Sequence, residues 1–311
     1  MSSQMAAKFE RGEFLVTSEL TPPKGTALEA LFAKADMLST RVDAFNVTDC
    51  HGARMAMSPM AVSHLLLDRG VEPIMQMTSR DRNRLGQQSD LLGAHALGIR
   101  NVVFMGGDPP TNGDHPDAKP VFDLASSELL AAGRGLNAGS DYAGNALKGS
   151  TDFLVGAVCN PGADDIEAEL AKLADKLEGG ARFFQTQAVY EAESFMRFNE
   201  RAQEMGAYLL AGIIPLKSPK MARFLHDKVP GISIPDHIMT QVDAASDATV
   251  TAIEISASVI RDLKSISSGV HVMAIGWEDH VPAILEAADI NARRQPVPPR
   301  SSRRRVATWD V

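Results

Sequence analysis

The stretch Thr78-Ser-Arg-Asp-Arg-Asn83, followed one helix-length later by Asn101-Val-Val-Phe-Met105 and Gly106-Gly-Asp-Pro-Pro110, decides the fold. The apolar run reads as a buried strand that delivers the Asp108 carboxylate to its C-terminal mouth. Gly106 and Gly107 let a flat ligand approach the backbone, and the two prolines stiffen the turn beyond. Short apolar runs ending in a polar group recur along the chain, so Asp108 is expected to be one of a ring of such groups.

Working outward, eight β-rich runs follow this pattern, at 14–19, 44–48, 73–78, 101–105, 153–158, 182–187, 207–213 and 270–275. Helical stretches separate them, at 26–39, 58–69, 86–97, 125–133, 163–178, 191–204, 218–227 and 237–267, with a last one at 280–292. Ser58-Pro59 and Ser218-Pro219 each set an N-cap before a proline at the first helical position. This alternation predicts an α/β chain with a single (β/α)8 TIM barrel over 1–292. A doubly wound sheet is the alternative, but no Gly-x-Gly-x-x-Gly follows the first strand. One connection is long. It joins the fourth and fifth strands and carries Thr111-Asn-Gly-Asp-His-Pro116 and Gly139-Ser-Asp-Tyr-Ala-Gly-Asn145. Connections of that length in compact domains are usually functional.

A length of 311 residues and a hydrophobic content of 44% support one large core. No run of 18 apolar residues marks a membrane span, and the N-terminus shows no apolar signal core. Two cysteines, Cys50 and Cys159, are too few for a disulfide framework or an iron–sulfur cluster, so the expected compartment is the cytoplasm. Six arginines against one aspartate make residues 293–311 +5, which leaves −13 on the rest of a chain of net charge −8. A body that acidic is a poor partner for nucleic acid. The tail itself, rich in Arg and Pro, reads as extended or disordered. It is either a solvated terminus or an arm that docks on an acidic neighbouring subunit of a homo-oligomer.

Chemistry in a barrel sits at the C-terminal strand ends. Those ends hold Glu19, Thr48 and Asp49, Thr78 with Arg80 and Asp81, Asp108, Asn160, Gln187, Pro215 and Trp277. The set contains no Cys–His pair at catalytic spacing and no metal signature. His271, inside a strand, reads as a satisfied core histidine. Glu19 precedes the rigid Thr21-Pro-Pro23, and a carboxyl in a half-desolvated mouth suits general acid work near neutral pH. Capping a turn or pairing with an arginine is an equal alternative for Glu19. For Asp108 the flanking glycines favour ligand contact. Arg80-Asp-Arg-Asn83 reads as a solvated helix start with internal ion pairs.

Six motifs together resemble the methylenetetrahydrofolate reductase family, from about residue 10 to 290. They are Ser18-Glu-Leu-Thr-Pro-Pro-Lys24, Thr78-Ser-Arg-Asp-Arg-Asn83, Leu97-Gly-Ile-Arg-Asn101, Gly107-Asp-Pro-Pro110, Phe183-Phe-Gln-Thr-Gln187 and Gly212-Ile-Ile-Pro215. Asp141-Tyr-Ala-Gly-Asn145 and Asn160-Pro-Gly162 are similar to the subgroup of acetogen and fused methyltransferase–reductase proteins. The resemblance implies a catalytic barrel that interconverts 5,10-methylenetetrahydrofolate and 5-methyltetrahydrofolate, with FAD as hydride carrier and NADH or NADPH as co-substrate. Glu19 matches the acid that protonates N10, and Asp108 the carboxylate that faces flavin and pterin. Gln187 matches the amide on the pterin, and Phe224 an aromatic that stacks on the nicotinamide or the folate aryl ring. Phe224 reads equally as an ordinary apolar helix residue. Thr48, Gln76, Thr78, Gly107, Asn160 and Lys176 fall on cofactor-contacting positions.

The chain departs from the family pattern at four places. Gln76 stands where a histidine is usual, Cys159-Asn-Pro-Gly-Ala163 replaces a Tyr-Pro-Glu-x-His run, and Asp175 replaces an arginine beside Lys176. Gly276-Trp-Glu-Asp279 replaces a segment with a basic residue for the folate glutamate tail. These changes keep FMN, or no flavin at all, open beside FAD. A second class also stays open, a folate- or pterin-binding barrel without redox activity that partners methyl or electron transfer. A Schiff-base aldolase is excluded, because no strand carries an interior lysine.

Overall fold

The computed structural model describes residues 3–291. Eight strands form a closed parallel barrel in chain order. They are β1 (Leu15–Leu20), β2 (Ala44–Val47), β3 (Pro73–Thr78), β4 (Asn101–Met105), β5 (Leu154–Cys159), β6 (Phe183–Ala188), β7 (Tyr208–Ile213) and β8 (Gly269–Val272). The expected (β/α)8 barrel is therefore present. The tail expected over 293–311 and its arm reading lie outside the described residues, as does residue 292.

The helices are α1 (Gln4–Glu10), α2 (Glu29–Leu38), α3 (Pro59–Asp68), α4 (Arg84–Ala96), α5 (Ser126–Asn137), α6 (Ile166–Glu178), α7 (Ala192–Glu204), α8 (Pro219–Lys228), α9 (Asp236–Asp243), α10 (Ala248–Leu263) and α11 (Val281–Ala287). Ser218 caps α8 as expected, accepting from Met221 N at 3.2 Å. Ser58 makes no such bond, so Pro59 alone marks the start of α3. The single helix expected over 237–267 is two. Asp247 breaks it by turning its carboxylate onto Thr249 N and Val250 N, 2.9 and 3.1 Å away, which caps α10.

Strand alternation sorts the barrel interior into an apolar floor and a polar upper wall. Leu15, Ala44, Ile74, Val103, Phe183 and Leu210 form the floor. Gly156 makes room for it, because a Cβ there would lie 2.4 Å from the Phe183 ring. Helix α1, which the sequence pattern does not announce, plugs the floor from below with Met5 and Phe9. Phe9 stacks on Tyr208 at 4.5 Å between ring centres, and Glu72 accepts from Gln4 N at 2.9 Å. Burying Phe9 contributes on the order of 2 kcal/mol. Two residues further along β1, β2, β3, β6 and β8 the inner wall turns polar, with Thr17, Asn46, Gln76, Gln185 and His271, all buried. Among the described residues no helix is long and apolar enough to cross a membrane.

Candidate active site

The polar wall rises to a mouth that collects most of the residues singled out by sequence. Glu19 lies on the inner face of β1, its side chain 19% exposed, and its Oε1 is 3.9 Å from His271 Nε2 on β8. Asn46, the register partner of Glu19 on β2, is fully buried and has no hydrogen-bond partner for either amide atom. Thr48 Oγ1 and Gln185 Nε2 are likewise buried and unpartnered. Orphaned polar atoms beneath a mouth are groups held ready for a ligand or for water. Gln187 sits where the β6–β7 register shifts, and its Oε1 accepts from Ala188 N at 3.1 Å.

Gly107 has φ +89°, a left-handed conformation that β4 needs to turn out of the barrel. A Cβ there would lie 3.0 Å from Thr78 Cβ, so the glycine also lets the β4 loop settle on β3. Beyond it Asp108 is exposed, and Arg80 Nη1 donates to its carbonyl at 3.3 Å. Val158 presents a 39% exposed apolar side chain at the end of β5.

One sequence expectation is overturned in part here. The Arg80–Asp81 pair exists, with Nε to Oδ1 at 2.8 Å and Nη2 to Oδ2 at 2.6 Å. Yet Arg80 is only 2% exposed, so the solvated reading fails at this residue, while Asp81 and Asn83 are exposed as expected. The helix begins at Arg84, capped by Asn83, whose Oδ1 accepts from Gly86 N at 3.0 Å. Ser79 and Arg80 are buried where the β4 loop returns over them, with Val121 N donating to Arg80 O and Phe122 N to Ser79 O.

Asp49 is the hub of this corner. Its Oδ2 accepts from Thr78 N (2.9 Å), Thr78 Oγ1 (3.0 Å) and Arg82 Nη1 (2.9 Å). Asp49, Cys50 and Asp81 bring ligand-type atoms within 4.8 Å of one another, but Arg82 and Arg80 already hold both carboxylates, which makes the trio an ion-pair corner. A cleft of about 330 Å³ opens beside it, lined in part by Cys50, Met55, Arg80, Arg82 and His115. The β4 loop is clamped across the mouth by Asp114, which binds Lys24 and accepts from Met55 N at 3.0 Å. Those contacts hold the Asp114 carboxyl at about 2. A wider cleft of about 460 Å³ lies at the opposite end, around Phe9, Tyr208 and Ser267, far from these groups.

Three expected site residues sit differently from the rest. Lys176 Nζ donates to Val158 O at 2.8 Å, so its ammonium rests on the main chain. Asn160 locks two loops together. Its Oδ1 accepts from Gly162 N at 3.2 Å, and its amide packs on Gly231, where a Cβ would lie 1.9 Å away. Phe224 is 59% exposed on α8, so its ring is outside the core. Lys217 and His271 were not foreseen as site residues. Lys217 donates to Ile275 O and sits 5.6 Å above the Trp277 ring, and desolvation lowers its pKa.

The mouth fits a flat ring at one end. Thr48 Oγ1 is free to bond, Gly107 keeps the backbone approachable, and Val158 offers an apolar face. The diphosphate of a dinucleotide is less well provided for, since Lys176 would have to leave Val158 O to reach it.

A closed barrel with its carboxylates and amides gathered at the C-terminal mouth defines a (β/α)8-barrel enzyme. The profile of the methylenetetrahydrofolate reductase family matches residues 4–289. The chain belongs to that family, whose members are oxidoreductases of folate one-carbon metabolism. The 5,10-methylenetetrahydrofolate reductase of Escherichia coli is 25% identical over 268 residues, covering 83% of each chain. Methylenetetrahydrofolate reductase 1 of Schizosaccharomyces pombe is 25% identical over 284 residues, and this chain spans 45% of its length. A protein from Clostridium thermocellum that binds two copies of 5-methyl-5,6,7,8-tetrahydrofolic acid shares the fold. Its TM-score is 0.60 over 92% of this chain and 98% of its own, at 17% identity.

Proposed function

We propose that the mouth reduces 5,10-methylenetetrahydrofolate to 5-methyltetrahydrofolate, with NADH or NADPH as the source of the hydride. The observation that supports this most directly is Glu19, a carboxyl on the inner wall with its side chain 19% exposed, whose neighbour across the barrel closure is the His271 imidazole, 3.9 Å away. A carboxyl so placed can act as a general acid towards a substrate seated in the mouth. The proton passes from Glu19 to N10 of the folate. The bond between N10 and the bridging carbon then breaks with its electron pair going to nitrogen, which leaves a cationic iminium. Asp108, exposed at the mouth, supplies the negative charge that stabilises that cation. Gln187 meets the pterin edge with a donor and an acceptor, and Phe224 offers an aromatic face. A flavin held by Thr48, Gln76, Thr78 and Gly107 would supply the hydride, with FAD the first candidate and Lys176 and Asn160 bordering its far end. The same wall and acid serve direct transfer from the nicotinamide.

Glu19→Gln tests the reading. Folate reduction should fall by about 10²–10⁴, while oxidation of NAD(P)H by an artificial acceptor stays near the wild-type rate. Equal losses in both would make Glu19 a structural residue and refute the assignment.

A further inference from the structure

Thr17, Glu19 and His271 share the inner wall where β1 meets β8. Thr17 and His271 are register partners, fully buried and 2% exposed. Thr17 Oγ1 lies 2.9 Å from His271 Nδ1 and 3.3 Å from Val270 O. A hydroxyl has one hydrogen, and 3.3 Å is long for a hydrogen bond between two oxygens. We assign the hydroxyl hydrogen to the shorter of the two contacts, so that it donates to Nδ1 and the imidazole hydrogen sits on Nε2; donation to Val270 O instead would put that hydrogen on Nδ1. Nε2 faces Glu19 Oε1 at 3.9 Å, longer than a hydrogen bond, so the contact forms only if the carboxyl turns towards the ring. The register partner of His271 on β7, Gly212, has no side chain to compete. Around the imidazole, β1 thus presents one hydroxyl and one carboxyl, and β7 presents nothing titratable.

We propose that His271 is a positioning residue for Glu19, oriented by the Thr17 hydroxyl. Its Nε2–H engages one carboxyl oxygen and leaves the other to present the proton to the substrate. When the Glu19 O–H bond breaks and the N10–H bond forms, the negative charge stays on Glu19 and the imidazole N–H stabilises it. The imidazole neither gains nor loses a proton. A fixed donor aimed at charge that develops only during the reaction lowers the barrier rather than tightening substrate binding.

The inference rests on Glu19 being the acid, and a double-mutant cycle separates the two. His271→Leu should lower folate turnover by about 10- to 100-fold through kcat rather than KM, since removing one such donor commonly costs on the order of 10²-fold. Loss of the donor favours protonated Glu19, so the basic limb of the pH–rate profile should move to higher pH. His271→Gln, which can again offer an N–H, should recover part of the rate. In a Glu19→Gln background His271→Leu should add less than about two-fold, as expected of residues that act as a unit. A multiplicative further loss there, or an unmoved pH limb, would overturn the inference. Full folate turnover in Glu19→Gln alone would instead overturn the acid assignment. Thr17→Val, nearly the same shape, is the second variant if His271→Leu does not fold. It should shift the profile in the same direction, and a wild-type profile would count against the proposal.

Discussion

Replacing Asp49 by asparagine keeps the volume and removes the charge where β2 meets β3. The carboxylate is buried and accepts from Thr78 and from the Arg82 guanidinium. An asparagine Oδ1 can still accept from Thr78 N, but its Nδ2 then meets Arg82, donor against donor. A hydrogen bond to a charged group contributes about 1.5–3 kcal/mol. Arg82 keeps a second partner, Asp90 at 2.9 Å, so its charge is not left alone. The expected loss is about 2–3 kcal/mol, or about 4–12 °C in Tm at about 2–4 °C per kcal/mol. Asp90 offers the internal control. Its side chain is 37% exposed, so Asp90→Asn should cost at most about 1 kcal/mol. Melting curves of the two variants side by side are the assay. Equal shifts would refute the idea that burial, rather than the mere presence of an arginine partner, makes Asp49 the hub.

Gly107→Ala should destabilise by about 1–2 kcal/mol, because a side chain at φ +89° is strained and its Cβ would crowd Thr78. Weaker flavin binding should accompany the lower Tm, and a neutral variant would remove the β4 turn from the site. Burial pushes the Cys159 thiol well above its ordinary range, whereas Cys50 is half-buried. Thiol titration at pH 8 should therefore count one group in the native protein and a second only in denaturant; two fast groups would contradict that burial. The Lys24 ammonium, and after it Met55 N–H, lower the Asp114 carboxyl to about 2. A lowered carboxyl stabilises above its ordinary value and loses that contribution as pH falls through the folded value. The clamp across the mouth should therefore hold at pH 4 and open towards pH 2, read by peptic cleavage within 106–125. Cleavage already rapid at pH 4 would show that Asp114 does not hold the loop.

The order of strands and helices, and so the barrel, was legible from the chain because each parallel strand is buried on both faces and reads as an apolar run. Glu19, Thr48, Thr78 and Asp108 were legible for a related reason: a strand that ends in a polar residue must present it at the mouth. Gln187 was legible in the same way, and the family resemblance supplied its expected role and that of Phe224, which periodicity alone would leave as an amide and a helix residue. The break at Asp247 was missed because helical periodicity runs through it, and only the turned carboxylate shows the cap. Helix α1 was missed because its seven residues carry too little pattern, and its place is set by the floor it covers. Burial of Arg80 depends on the β4 loop folding back over it, a contact about 40 residues away in sequence. The pairing of Thr17 with His271 joins residues 254 positions apart. Strand alternation fixes which residues face inward, whereas neighbours across the closure between β1 and β8 exist only once the barrel is shut.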